Sequence, residues 1–344
     1  MKYRALGRSG IEVSPLCLGT MLFGGATPEA EAARIIAMAR DGGVNFIDTA
    51  DAYNDGETER VVGRAIAGGR DHWVLATKAC NQMGDDVNQR GLSRRWLMRA
   101  IDGSLARLGV DHVDVLYLHR EDPDTPLDET IGALGDIIAA GKARYFGLSN
   151  FRAWRHAEVV RLCDAAGVPR PVVSQPCYNA FNRMPEVELL PACAQYGMAV
   201  VPYSPVARGV LAGKYMPGEA PPEGSRAGRG DARIMKSEYR AESLELAQRV
   251  KAHAEARGMT AAQFAFNWVI HNRLVTAAIA GPRTAGQFAE YLAALDFTLD
   301  ADDEALIDGM VAAGHPSTPG YNDPSYPIEG RVPRNDDRPG NDRE

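Results

Sequence analysis

The chain has 344 residues, 45% hydrophobic and 24% charged, with a formal net charge of −7. That balance is ordinary for a globular protein and argues against a nucleic-acid partner, although a local basic pocket stays open. No apolar run approaches the ~20 residues of a membrane span, and no signal-peptide apolar core follows Met1, so no membrane partner and a cytoplasmic location are expected. The five cysteines, Cys17, Cys80, Cys163, Cys177 and Cys193, are odd in number and form no CxxC, which fits buried thiols in a reducing compartment. Neither they nor the seven histidines have zinc spacing, so no metal is expected.

Residues 2–13 read as two short strands around Gly7-Arg8-Ser9-Gly10, a hairpin signal. Short apolar β-runs then recur at 16–18, 45–48, 73–77, 113–118, 144–148, 172–174, 199–203 and 276–280. Helical patterns lie between them at 28–40, 57–67, 93–108, 127–140, 153–166, 187–196, 237–257 and 260–270. A further helix at 284–295 follows the last strand, and 301–311 reads as an added one. Thr27-Pro28 and Ser93 offer N-caps, Thr260 has capping-box form with Gln263, and Gly109, Gly141, Gly167 and Gly197 stand just past helices.

Eight strand–helix units in alternation predict the α/β class: a (β/α)8 TIM barrel with an N-terminal β-hairpin and extra C-terminal helices. An open doubly wound sheet is the other candidate. It needs a glycine-rich dinucleotide turn after the first strand, and Gly19-Thr-Met-Leu-Phe-Gly24-Gly25 lacks the GxGxxG spacing. Residues 1–313 are expected to form one domain, and 314–344 a tail that is partly packed and then disordered from about Val332. The stretch 204–236, rich in Gly, Pro and Arg, is too long for a plain connector and is expected to be functional.

Chemistry in such barrels sits at the C-terminal ends of the strands. Those ends carry Gly19 and Thr20, Asp48 followed by Tyr53, Lys78, His119, Ser149 and Asn150, Gln175, and Tyr203 with Ser204. Lysine is rarely buried unpaired, and Asp48 on the adjoining strand is an available partner for Lys78. A tyrosine, with a reference pKa of about 10, is a poor acid at neutral pH; a neighbouring ammonium favours the phenolate. Tyr53 can then protonate an oxygen that is becoming an alkoxide.

Several motifs now resemble one family, the aldo-keto reductases. They are NFIDTADAY (45–53), the strand-end Lys78, LYLHRED around His119, GLSN at Ser149 and Asn150, and YSPVARG (203–209). The resemblance spans about 3–311. It implies a barrel that binds NADPH/NADP+ without a Rossmann domain, acts on a small-molecule carbonyl substrate, and uses a tetrad of Asp48, Tyr53, Lys78 and His119. Tyr53 would be the acid, tuned by Lys78 and Asp48, while His119 orients the carbonyl.

Cofactor positions implied by the resemblance start with Gly19, Thr20, Met21 and Asp48 at the mouth. Ser149, Asn150 and Gln175 would hold the carboxamide, and Tyr203 would stack on the nicotinamide. Ser204, Val206, Gly209, Leu211 and Lys214 would cover the pyrophosphate, with Arg226 folded over the phosphates. Gly281 is a further cofactor position, and Arg283 would face the 2′-phosphate, with Gln287 and Glu290 beside the adenosine. Position 291 is Tyr where the family usually has Asn. Phe23, Met83, Tyr178 and the segment 314–326 are candidates to line the substrate mouth. The function expected is reversible carbonyl reduction. The rival is a nucleotide-sensing regulatory subunit of the potassium-channel β type, which predicts a basic or Ala-rich N-terminal segment; here the hairpin starts at Lys2.

Overall fold

Residues 1–327 are described by the structure, a computed structural model. β1 (Arg4–Ala5) pairs antiparallel with β2 (Glu12–Val13), and Gly7 and Gly10 supply the positive φ of the turn between them. The alternation then runs β3 (Leu16–Gly19), α1 (Glu29–Asp41), β4 (Phe46–Asp48), α2 (Glu57–Ile66), β5 (Val74–Ala79), α3 (Arg94–Leu108) and β6 (Val113–Leu118). It continues with α4 (Leu127–Ala139), β7 (Ala143–Ser149), α5 (Ala153–Ala166), β8 (Val173–Gln175), α6 (Leu189–Tyr196) and β9 (Ala199–Val200). α7 (Ala232–Ser237), α8 (Ala241–Ala256) and α9 (Ala261–His271) precede β10 (Ala278–Ala280); α10 (Ala285–Ala294) and α11 (Ala301–Asp308) follow it.

β3 to β10 form one parallel sheet in the order β10-β3-β4-β5-β6-β7-β8-β9. Its two outer strands meet: the amide of Thr276 donates to Val200 O at 2.8 Å and that of Ile279 to Pro202 O at 2.9 Å. The sheet thereby curls into the expected (β/α)8 barrel.

Strand periodicity decides what the barrel holds. One set of alternate residues, including Cys17, Phe46, Ala76, Val115, Tyr117, Val173, Ala199, Val201, Ala277 and Ile279, packs into an inner core. Leu6 and Val13 of the hairpin belong to the same cluster and plug its lower end. The other set, with Leu18, Ile47, Leu75 and Leu116, packs outward against the helices. Gly147 is required by this interior, because a Cβ there would come within 2.7 Å of the Tyr117 ring.

Some boundaries differ from expectation. The helix expected over 237–257 starts later, as α8 at Ala241, because Arg240 is extended (φ −118°, ψ 146°) and separates it from α7, which ends at Ser237. There the Arg240 guanidinium reaches Ser317 and Thr318 of the tail. The strand expected over 199–203 ends at Val200, because Pro202 has no N–H for the ladder. Of the tail, 314–327 packs on the body: Ser317 N–H donates to Phe181 O at 3.0 Å, and the Arg233 guanidinium grips Asp323 through both nitrogens. The expectation for Val332 onward lies outside the described residues.

Candidate active site

Two residues beyond each inner core position, the same strand face reaches the barrel mouth. Phe46 leads to Asp48, Ala76 to Lys78, Val173 to Gln175, and Tyr117 to His119. Register sets them side by side: Gly19 opposite Asp48, Asp48 opposite Ala76, Ser149 opposite Gln175.

Lys78 is 0% exposed. Its ammonium donates to Asp48 Oδ1, to Thr49 O at 2.9 Å and to the Tyr53 hydroxyl at 3.1 Å. The second oxygen of Asp48 accepts from Gln175 Nε2 at 2.9 Å. Burial works against the Lys78 charge, but Asp48 and Tyr53 outweigh it and hold the amine above its ordinary pKa. The Tyr53 phenol goes the other way from expectation: burial pushes its pKa up, and Lys78 only partly offsets this.

His119 packs edge-on to Tyr53, ring centroids 5.9 Å apart. Burial first, then the charges of Lys78 and Arg120, holds its pKa well below the usual value, so it is neutral. The Asn81 carboxamide meets Nδ1 at 3.0 Å. With that amide donating, Nδ1 accepts and Nε2 carries the proton.

Beside this cluster Asn150 takes φ 59°, a left-handed conformation rare for a side-chain-bearing residue. It thereby donates to His119 O at 2.9 Å and Ser149 Oγ at 3.1 Å, while its carboxamide oxygen accepts from Tyr203 OH at 2.8 Å. Ser204 is likewise left-handed, at φ 58°.

From here a cleft of about 530 Å³ runs across the mouth to the start of α10. Gly19, Thr20, Met21, Asp48, Tyr53, His119, Ser149, Asn150, Gln175, Tyr203, Ser204, Val206, Gly209, Lys214, Arg226, Gly281, Arg283, Gln287 and Glu290 all line it. Lys78 lies behind them. Leu211 is fully buried in the apolar core and is not among the lining side chains. Arg226 is paired with Asp231 at 2.9 Å, and the Arg283 guanidinium donates to Gly224 O at 2.9 Å, across the cleft.

The expected mouth residues Phe23 and Tyr178 are corrected. Phe23 is buried in the outer core; Tyr178 is buried and hydrogen-bonded to Glu186 and Asn272. Met83 packs against that core as well. Tyr326 of the tail does line the cleft, as do Arg208, Arg229, Arg233 and Tyr291. The arginine-rich composition of the long loop is the one sequence signal for Arg208, Arg229 and Arg233, whereas Tyr326 belongs to the segment 314–326 expected at the mouth.

This architecture defines a class: a parallel eight-stranded barrel with an acid–base cluster at its mouth and a long cleft leading away, ending in cationic side chains. A family model described as "Aldo/keto reductase family" matches residues 15–312. The chain belongs to the aldo/keto reductase family. Its relatives include an "Uncharacterized oxidoreductase YrpG" of Bacillus subtilis, 35% identical over 93% of this chain and 98% of its own. An "L-glyceraldehyde 3-phosphate reductase" of Escherichia coli is 33% identical over 91% and 93%. A "Probable voltage-gated potassium channel subunit beta" of rice (Oryza sativa) is 35% identical over 86% and 92%. The protein is an NAD(P)H-dependent oxidoreductase of carbonyl compounds. Among the described residues no helix is long and apolar enough to cross a membrane.

Proposed function

We propose that the protein reduces the carbonyl of an aldehyde or ketone to the alcohol, reversibly, with NADPH as cofactor and Tyr53 as proton donor. The observation that carries this reading is the Tyr53 hydroxyl 3.1 Å from the buried Lys78 ammonium, edge-on to a neutral His119.

The cleft fits the cofactor chemically. Ser149, Asn150 and Gln175 converge where a carboxamide needs both donors and acceptors. Gly281 has open space where a Cβ would stand, so a ligand can approach its backbone closely. Lys214, Arg226 and Arg283 supply the cations that phosphates require, Arg283 just ahead of the N-terminus of α10. When bound, the dihydronicotinamide supplies hydride to the carbonyl carbon.

Everything else falls to the chain's own residues. Neutral His119 offers its Nε2 proton to the carbonyl oxygen and orients it. Tyr53 then gives its proton to the oxygen as negative charge develops there. Lys78, fixed as an ammonium by Asp48, stabilises the phenolate left behind. Because the Tyr53 pKa is raised, the phenol stays protonated through neutral pH; reduction falls as pH rises through that value, and alcohol oxidation gains.

The test is NADPH consumption by the purified protein across aldehydes, sugars, keto-steroids and quinones, with the alcohol product measured. Cofactor oxidation matched by alcohol is expected; no turnover on any carbonyl would overturn the reading. The name of the rice relative favours a second reading, a nucleotide-sensing channel subunit. That reading predicts tight NADPH binding without useful turnover.

A further inference from the structure

On the helix side of the barrel wall, behind Tyr53, lies a polar group that the proposed reaction does not use. Asp51 sits on the loop between Asp48 and Tyr53 and is 0% exposed. Neither carboxylate oxygen has a hydrogen-bond partner among the described residues, and nor does the buried Thr49 Oγ1 two residues earlier. The adjacent Ala52 N–H offers Asp51 some electrostatic relief without completing a bond. Its neighbours are committed elsewhere: buried Glu59 accepts from Thr77 Oγ1 at 2.5 Å and from Arg107 Nε at 2.6 Å. Buried polar groups are almost always bonded, so an orphaned carboxyl three residues from one member of the cluster and two from another calls for a reason.

The charges facing Asp51 come from every element around it. Glu59 on α2 opposes its ionisation; Arg107 on α3 and Lys78 on β5 favour it. Tyr53 on its own loop and Cys80 just past β5 feel its charge in turn. Burial and Glu59 together push the Asp51 pKa up to about 7. Its backbone N–H donates to Lys78 O at 3.2 Å, which ties this loop to the strand carrying the ammonium.

We propose that Asp51 is a positioning residue for the Tyr53 proton transfer: its carboxyl, neutral or ionised behind the cluster, sets how readily the phenol gives up its proton. The inference rests on Tyr53 being the acid. An ionised Asp51 disfavours the phenolate and keeps Tyr53 protonated to higher pH; a neutral Asp51 releases that restraint.

The test compares kcat–pH profiles for aldehyde reduction by the native protein and Asp51→Asn. Asparagine keeps the shape and abolishes the charge. The alkaline fall-off is expected to move to lower pH by about half to one unit, a three- to tenfold loss on that limb, with KM little changed. The inflection near about 7 should vanish. An unmoved alkaline limb would overturn the proposal.

Two measurements need no turnover, so they separate this inference from the reductase reading. The infrared difference between native and Asp51→Asn protein should contain a protonated-carboxyl band that fades as pH rises through about 7; its absence overturns the proposal. Thermal midpoints carry the second. A carboxyl pKa raised on folding costs nothing below its unfolded value, and the cost grows until pH passes the folded one. Asp51→Asn should therefore raise the midpoint at alkaline pH and leave it nearly unchanged in acid. A lowered alkaline midpoint contradicts the proposal.

Discussion

At the inner end of the cleft the polar side chains stand mostly on strands; at the outer end they stand on loops and a helix start. The difference shows in how the charges are held. Lys78 is sealed, and its ammonium is bonded by Asp48, Thr49 and Tyr53. Lys214 is exposed, Arg226 is paired with Asp231 within its own loop, and Arg283 is bonded to a backbone carbonyl of the facing loop. The inner end is preorganised, as transition-state stabilisation demands. The outer end can exchange its partners for those of a ligand. Under the proposed function, reaction geometry and ligand recognition fall to parts of the fold that hold their charges differently.

The largest effect that would break this contrast belongs to Lys78. Lys78→Met should abolish reduction and also destabilise, because Asp48 is left buried beside Gln175 with no cation. Breaking a buried pair in this way costs about 3–5 kcal/mol. A covalent role for Lys78 is tested by the same site. An imine needs the free amine, and the raised Lys78 pKa opposes that. Borohydride treatment with a carbonyl substrate should leave the intact mass unchanged; an adduct on Lys78 would replace the proton-transfer mechanism.

Next comes Tyr53→Phe, which removes one hydroxyl and little packing. Loss of a general acid lowers turnover by about 10²–10⁴. NADPH binding, measured by fluorescence titration, should change little, since the outer end is untouched. Near-native turnover would end the assignment of Tyr53.

What the sequence could reveal follows the same divide. Alternation with period two puts Asp48, Lys78, His119 and Gln175 on one face once the strands are recognised, so the inner end was legible residue by residue. Its electrostatics were only half legible: the Lys78–Tyr53 contact was expected, but not that burial would outweigh the lysine and raise the phenol pKa. The outer end depends on loops whose path no local pattern fixes. Leu211 sits in the YSPVARG-to-Lys214 run yet turns into the core, because the turn at Ala207–Gly209 passes through left-handed Ala207 and Arg208. Tyr326 reaches the cleft through the tail contact of Asp323 with Arg233, a pairing 90 residues apart in sequence. The late start of the helix expected over 237–257 involves the same tail, through the contacts of Arg240 with Ser317 and Thr318.

Of the outer-end changes, Arg283→Ala is expected to have the larger effect. Losing a charge-assisted hydrogen bond costs about 1.5–3 kcal/mol, roughly ten- to hundredfold in affinity. That loss should fall on NADPH and spare NADH. Equal losses for both cofactors would move the extra phosphate to Lys214 or Arg226.

The smallest effect probes the exchange of partners itself. Asp231 has two duties. Its Oδ1 accepts from the amides of Arg233 and Ile234 and caps α7, while its Oδ2 holds Arg226. Burial opposes the Asp231 charge, but the Ile234 amide and Arg226 outweigh it and keep the carboxyl below its ordinary pKa. Asparagine caps a helix about as well as aspartate. Asp231→Asn therefore keeps α7 and places an N–H where Arg226 found an acceptor. The guanidinium is freed at no cost to the loop's anchor. A part-exposed pair of this kind is worth about 0.2–1 kcal/mol, so NADPH should bind up to about fivefold tighter, with a steeper dependence on salt. Tm should hardly change. If Asp231→Asn instead binds NADPH more weakly at an unchanged Tm, the pair is no restraint. The aspartate would then aim Arg226 at the phosphates, and the outer end would be preorganised like the inner one.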